Sequence, residues 1–267
     1  MNSSICFLTA NPPDDFYRLI KDFIPNHKVY VCIDDNTHKV DWEGVEIIQM
    51  DGDVPHHAGY HSMVAHGSEY YDKSVSRDKA HYYIQKNLDT NHVWFIEQDV
   101  FIPRHDLLKQ IDDEFKDSDL LIRDIQSQET HPNWPHWSLG KIWSGEKIPN
   151  KNFRRSMVSA VRVSKKFVEC MDIYLYENNR SGLFIDECFI PTLANLYNLK
   201  IDCPKELSYI VWRDGEKPEE NELGYKNSFN NEYLIFPYSK DEVNQNMMYH
   251  PIKDLKRQIR LRFGDES

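Results

Sequence analysis

Long apolar runs are missing from this 267-residue chain. No stretch approaches the roughly 20 consecutive apolar residues of a helical membrane span. The opening "MNSSICFLTANPP" has no basic segment ahead of its apolar run, and that run is too short for a secretory leader. It reads instead as a first strand over residues 5–10. Paired cysteines are missing too. Cys6, Cys32, Cys170, Cys188 and Cys203 are odd in number, contain no C-x-x-C, and mostly sit in apolar runs. They read as buried thiols of a reducing compartment, so the expected location is cytoplasmic. Positive charge is scarce, with 32 basic against 43 acidic residues and a net charge of −11. That balance argues against nucleic acid as the main partner. It leaves room for a small anion held by a few local cations and a metal ion. Internal repeats, low-complexity tracts and a clear linker are absent as well, and the length fits one large α/β domain.

Aromatic residues are plentiful, at 13% with 15 Tyr and 6 Trp, so a sizeable core is available. Short apolar runs at 5–10, 28–33, 45–49, 93–97 and 120–122 read as strands. Helical patterns lie at 14–23, from an N-cap at Ser76 onward, and at 106–115. Strand and helix in this alternation predict a doubly wound, mostly parallel sheet flanked by helices. Such sheets bind ligands at the carboxyl ends of their strands. In the second half, 157–163 reads as a strand and 165–176 as a helix. "GEKPEENELGYKN" reads as a polar surface loop.

The most informative stretch is "VWFIEQDVFIP", residues 93–103. Four apolar residues predict a strand buried on both faces, and it runs straight into Glu97-Gln98-Asp99. Residues two apart on an extended chain point the same way, so Glu97 and Asp99 converge. A divalent cation between them would relieve their repulsion. The bland alternative is a solvated strand end. "VYVCIDDN" sets Asp34 and Asp35 at the same sheet edge, suited to a ribose or base, or simply to opening a turn. Asn11, after the first strand, holds the matching position. "SVSRDKAHYYI" puts Arg77 and Lys79 in a first helical turn, against the helix dipole, where they can meet an anion such as a diphosphate. Ordinary surface scatter is the alternative.

"RSGLFIDECFIPTLANLYNLKI" holds two adjacent carboxylates, Asp186 and Glu187, among apolar neighbours. Burial there would raise a carboxyl pKa and suit it to general-base work. Pro191 belongs in a first helical turn, so the helix is predicted to begin near Ile190, with both acids in the loop before it. His250, in "NMMYHPIK", is a candidate metal ligand at a strand end. His56, His57, His61 and His66 form a His-rich loop in which zinc is the lesser reading. The basic "KDLKRQIRLRF" reads as a helix packed by Leu255, Ile259 and Leu261, or as a segment docking on an anionic membrane.

Taken in order, these elements resemble the GT-A fold nucleotide-sugar glycosyltransferases over nearly the whole chain. The resemblance implies a GT-A-like single domain over residues 1–267. Residues 1–125 would form the nucleotide- and donor-binding half, and 126–267 the acceptor-binding and catalytic half. Glu97-Gln98-Asp99 then looks like a variant of the family's D-x-D element, which binds Mn2+ or Mg2+ and through it the donor diphosphate. Asp99, Glu97 and His250 would be metal ligands. Asn11, Asp34 and Asp35 would face the nucleoside of a donor for which a UDP-sugar is favoured. Arg77, Lys79 and Lys253 would meet phosphates or donor sugar. Asp186 or Glu187 would be the base of an inverting transfer to a glycan or glycoconjugate hydroxyl. Trp134, Trp137 and Trp143 would stack on an acceptor sugar. A silent binding protein of the same fold is the alternative. A sugar nucleotidyltransferase ranks lower, because "TANPPDD" has no glycine for a phosphate loop.

Overall fold

The computed structural model describes residues 3–66, 69–87, 89–132, 137, 148, 150–211 and 236–264. The described residues build a seven-stranded sheet from β1 (Ser3–Thr9), β2 (Lys28–Ile33), β3 (Val45–Gln49), β6 (His92–Glu97), β7 (Leu120–Leu121), β8 (Ala160–Ser164) and β9 (Ile201–Asp202). Its order is β3-β2-β1-β6-β8-β7-β9. Two small pairs stand apart from it: β4 (Ser62–His66) with antiparallel β5 (Glu69–Lys73), and β10 (Tyr209–Ile210) with parallel β11 (Tyr249–His250). The block from β3 to β6 is parallel, and β8 runs antiparallel to both β6 and β7. The mostly parallel, Rossmann-like α/β arrangement is therefore as the sequence predicts.

Both faces of the sheet are covered, which is why its strands are continuous apolar runs. Cys6, Leu8, Tyr30, Cys32 and Phe95 pack into one core layer. Ile5, Phe7, Val29, Val31, Trp94 and Ile96 pack into the other. The chain winds outward from β1 to β3 and then returns to lay β6 on the other side of β1. Outside the carboxyl ends of β1 and β6 lies the topological switch point, where open α/β sheets form their binding crevice.

Among the described residues the α-helices are α1 (Asp14–Ile20), α2 (Asp53–His57), α3 (Ser76–Asn87), α4 (Leu107–Glu114), α5 (Lys165–Glu177), α6 (Asp186–Leu196) and α7 (Leu255–Phe263). Ser164 caps α5 by accepting from Phe167 N at 3.0 Å. Ser76 is not the cap of α3. Asp78, inside the first turn, reaches back to accept from Val75 N at 3.1 Å, while the Ser76 hydroxyl turns to Asp34 at 2.7 Å.

The start of α6 also departs from the sequence reading. The helix begins at Asp186, with Pro191 inside it. A proline deprives the carbonyl four residues earlier of its donor. Here that carbonyl is Glu187 O, and Ser156 N donates to it at 2.9 Å. A tertiary hydrogen bond thus replaces the helical one, and both acids sit in the first turn. The preceding loop closes on the start of β4 through Leu183 N donating to His61 O at 2.7 Å. Gly182 permits this approach with φ +101°, where a Cβ would stand 2.7 Å from the His61 ring.

His81 on α3 is buried against Phe95, and neither ring nitrogen has a hydrogen-bond partner. Burial, with Arg77 adding repulsion, pushes its pKa down to about 3. The unfolded chain therefore binds a proton that the folded chain refuses between about pH 6.5 and 3, and stability falls as pH drops through that window. His81→Leu is expected to move the acid-unfolding midpoint to lower pH and to raise neutral-pH stability by about 1 kcal/mol. Asp78, whose pKa burial raises to about 7, acts in the opposite sense in both proteins. Urea titrations of the two at about pH 7 and pH 5 check this; equal acid sensitivity would contradict it.

Candidate active site

Strand β6 delivers Glu97 to the switch point, and the chain then turns tightly, with Val100 N donating to Glu97 O at 3.0 Å. Convergence of Glu97 and Asp99 comes from this turn rather than from an extended strand. The C-terminal strand β11 is fastened alongside. Phe101 and Tyr249 exchange both backbone hydrogen bonds, at 2.8 and 3.0 Å, and Ile252 N donates to Asp99 O at 2.8 Å. These bonds bring His250 from a distant part of the sequence to the E-Q-D turn.

The His250 Nδ1 lies 2.7 Å from Val211 O, so Nδ1 carries the proton. Nε2 is left to face Asp99 at 3.4 Å and Glu97 at 3.5 Å. Fixing one ring nitrogen on a carbonyl is how proteins aim the other at a metal. The ligand atoms of Glu97, Asp99 and His250 all lie within 4.8 Å of one another. Neighbouring ligands around an ion bound at about 2.1 Å stand about 3 Å apart, so small side-chain adjustments bring these three onto one cation. Two carboxylates and one imidazole, with no thiolate, suit a hard to intermediate divalent ion. Burial disfavours the His250 imidazolium, yet the Asp99 and Glu97 carboxylates more than offset it and raise the pKa to about 9. Burial likewise opposes the Glu97 carboxylate, but Arg77 and then His250 hold it well below the usual range.

Arg77 is the residue that joins the two acidic motifs. It is 3% exposed, donating from Nη2 to Glu97 at 2.5 Å and from Nε to Asp186 at 2.8 Å. One guanidinium thus brings Asp186 to the metal ligands' side, a pairing with no local trace in the sequence. Its Nη1 is buried without a hydrogen-bond partner. Next to Asp186, burial and the neighbouring carboxylate raise the Glu187 pKa well above its ordinary value. That is the environment expected of a proton-handling carboxyl.

Leu8, Thr9, Arg77, Asp99, Lys253 and Gln258 are among the walls of a cleft of about 430 Å³ at this point. Lys253 is exposed there and makes no ion pair among the described residues. Gln258 belongs to the site although nothing in its sequence context singles it out. It donates to Gln98 O at 3.0 Å and Ile252 O at 2.8 Å, tying α7 to the turn. His250 and Lys253 reach this cleft from the second half of the chain.

Other candidates stand elsewhere or are already engaged. Asp34 accepts from Lys79 Nζ at 2.5 Å as well as from Ser76, so this acid and base hold each other and the start of α3. Asp35 accepts from the Thr37 amide at 2.8 Å and its hydroxyl at 2.7 Å, which is the turn-opening role. Asn11 is exposed beyond β1. Trp137 is buried against the core, its Nε1 donating to His131 O at 2.7 Å, rather than standing open as an exposed platform. Trp134 and Trp143 lie outside the described residues, as does the whole of the predicted polar loop at 215–227. The His56 and His61 rings stack at 4.3 Å, so their in-plane lone pairs do not converge on an ion. In α7, Arg257 donates to Pro237 O and Arg262 to Leu19 O, which turns half of the basic face into the fold. Among the described residues, no helix is long and apolar enough to cross a membrane, and all five cysteines are free.

No family model matches the sequence, and no curated protein matches it. Solved structures resembling the chain include the galactosyltransferase LgtC in complex with donor and acceptor sugar analogs, with TM-score 0.47 and 9% identity over 99% of this chain and 96% of that one. Mouse xyloside xylosyltransferase 1, apo form, has TM-score 0.46 and 9% identity over 94% of this chain and 98% of that one. The 2-C-methyl-D-erythritol 4-phosphate cytidylyltransferase from Thermus thermophilus has TM-score 0.44 and 9% identity over 76% of this chain and 88% of that one. Glycosyltransferases are thus among the structures it resembles, alongside a nucleotidyltransferase. Likenesses this distant carry no argument about chemistry, which stands on the side chains above.

Proposed function

We propose that the protein is a metal-dependent glycosyltransferase, moving a sugar from a nucleoside-diphosphate sugar to a hydroxyl of a glycan or glycoconjugate. The observation that carries this reading is the convergence of Glu97, Asp99 and His250 at the switch-point cleft, with Asp186, the neighbour of Glu187 in the chain, joined to Glu97 through Arg77. Glu97, Asp99 and His250 would hold Mn2+ or Mg2+, which would supply positive charge beside the departing nucleoside diphosphate. Lys253 reaches a phosphate oxygen from the exposed side of the cleft. Asn11 and Asp35 are assigned to the nucleoside, with uridine favoured.

In an inverting transfer the acceptor oxygen bonds to the anomeric carbon as the bond to diphosphate breaks, and the hydroxyl proton passes to Glu187. A raised carboxyl pKa makes the ionised form of Glu187 a stronger base. Asp186, fixed by Arg77, orients Glu187 and keeps negative charge beside it. Trp134 and Trp143 are assigned to the acceptor side. The lack of glycine after β1 favours glycosyl over nucleotidyl transfer.

Glu187→Gln is expected to retain donor binding and to lose turnover by about 100-fold or more. Stopped-time assays for nucleoside diphosphate release, beside binding of the same donor, check it. Full activity in both Glu187→Gln and Asp186→Asn would remove the base assignment.

A further inference from the structure

Gln98, the middle residue of the E-Q-D turn, has no part in the chemistry above. The parallel register sets Leu8 opposite Glu97, and Gln98 N donates to Leu8 O at 3.1 Å, which carries the pairing of β1 with β6 one residue past the strand end. Thr9 and Gln98 are therefore neighbours across the two chains. Side chains alternate along extended backbone, so both leave the sheet on the face opposite Leu8 and Glu97. There the Thr9 hydroxyl donates to Gln98 Oε1. On the main chain, Gln258 of α7 donates to Gln98 O at 3.0 Å. Three of the four polar groups of Gln98 are thus engaged.

The fourth is not. Among the described residues Gln98 Nε2 makes no hydrogen bond, although Gln98 lines the cleft together with Ser76, Asp99 and Lys253. A primary amide nitrogen carries two N–H donors. Here the bond at the amide oxygen holds that nitrogen in place, so a ligand meeting it loses little to side-chain ordering.

The position of Gln98 in the cleft sets what the donor can meet. On one side is Asp99, where the metal and the diphosphate are assigned. On the other is the end of β1, with Thr9 and Ala10 in the cleft wall and Asn11 following. The part of a nucleotide that stands between diphosphate and base is the ribose. Lys253 brings positive charge and suits a phosphate oxygen, whereas the Gln98 amide is neutral. A ribose hydroxyl matches this turn, because it accepts from the amide and has its own proton to give to a carboxylate.

We propose that Gln98 is the specificity-determining residue for the ribose, its Nε2 donating to a ribose hydroxyl while Thr9 aims the amide. This rests on the nucleotide-sugar reading of the cleft and deepens it, and it is testable without turnover. The ribose is common to every nucleoside diphosphate, so the assignment does not depend on which base is bound.

The test is calorimetric titration of the full chain, in the presence of Mn2+, with UDP, GDP and the 2′,3′-dideoxy counterpart of each. The wild type is expected to hold one ribonucleotide at least about fivefold more tightly than its dideoxy counterpart, the size of one hydrogen bond between neutral groups. In Gln98→Met, which keeps the length of the side chain and removes its donor, that ratio is expected to fall by about fivefold. Binding of Mn2+ alone is expected to be unchanged, as it reports on Glu97, Asp99 and His250. Thr9→Val, which frees the amide without removing it, is expected to lower the ratio by a smaller factor. A wild-type ratio near one would overturn the proposal, and so would a Gln98→Met ratio equal to that of the wild type, whether the nucleotides bind as before or are weakened alike. Absence of metal-dependent binding of both UDP and GDP to the wild type would instead remove the nucleotide-sugar reading, and this assignment with it, so the two failures are distinguishable.

Discussion

Replacing Asp112 by alanine is expected to destabilise the protein by about 3–5 kcal/mol, because it strands a buried arginine. Arg162 has no exposure at all and Asp112 only 1%. The Asp112 carboxylate takes Arg162 Nη1 at 2.8 Å, Trp94 Nε1 at 3.0 Å and the Ser3 hydroxyl. Arg162 Nη2 donates to Phe115 O and Ser118 O, at 2.6 and 3.2 Å. The network pins β1, β6, β8 and the end of α4 together behind the sheet. Truncating the acid removes the carboxylate bonded to this guanidinium, beside an apolar layer that includes Ile96 and Leu108. A fall of roughly 10 °C in the thermal midpoint follows for a chain of this size. Removing both charges, as Asp112→Ala/Arg162→Met, is expected to recover part of the loss, since an apolar pair carries no desolvation penalty. A double variant no better than Asp112→Ala would contradict this account of the core.

Arg77→Met is expected to lower both stability and turnover strongly. Arg77 is the buried cation between Glu97 and Asp186, and without it Asp186 loses this ion pair while Glu97 keeps only His250. Stability should fall by about 3 kcal/mol or more. Turnover should fall by about 100-fold, since an ångström-scale displacement of reacting groups has that cost. The distinguishing sign is metal rescue. A divalent cation replaces part of the lost positive charge, so Mn2+ should raise the thermal midpoint more in Arg77→Met than in the wild type. Equal metal effects, or near-normal turnover, would show that Arg77 has no organising role between the acids.

How much a sequence can reveal depends here on how local the cause is. The apolar run ending in Glu97-Gln98-Asp99 carries its own message, because a strand buried on both faces has no local reason to end in paired acids. The alternation of strands and helices likewise announces the sheet, and the switch point follows from it. The start of α6 is not legible, because the compensation for Pro191 comes from Ser156, far upstream, and nothing near the proline announces it. Arg77 reads as an anion ligand because its first-turn position is visible in sequence, whereas its two carboxylate partners are distant. Asp34 and Lys79 each read as binding residues, yet they satisfy one another. His250 is legible as a candidate, but its aim depends on Val211 O and on backbone bonds around Asp99 and Phe101. Trp137 shows the limit of composition: an aromatic-rich segment contributes to the core as readily as to a sugar platform.

The most direct test of the central claim is calorimetry of the wild type and Asp99→Asn with UDP, GDP and CMP, each with Mn2+ and with a chelator. The account predicts that one nucleoside diphosphate binds only with the metal, and that Asp99→Asn abolishes this binding while the protein stays folded. Binding of the same strength in chelator, or in Asp99→Asn, would contradict a metal site at Glu97, Asp99 and His250.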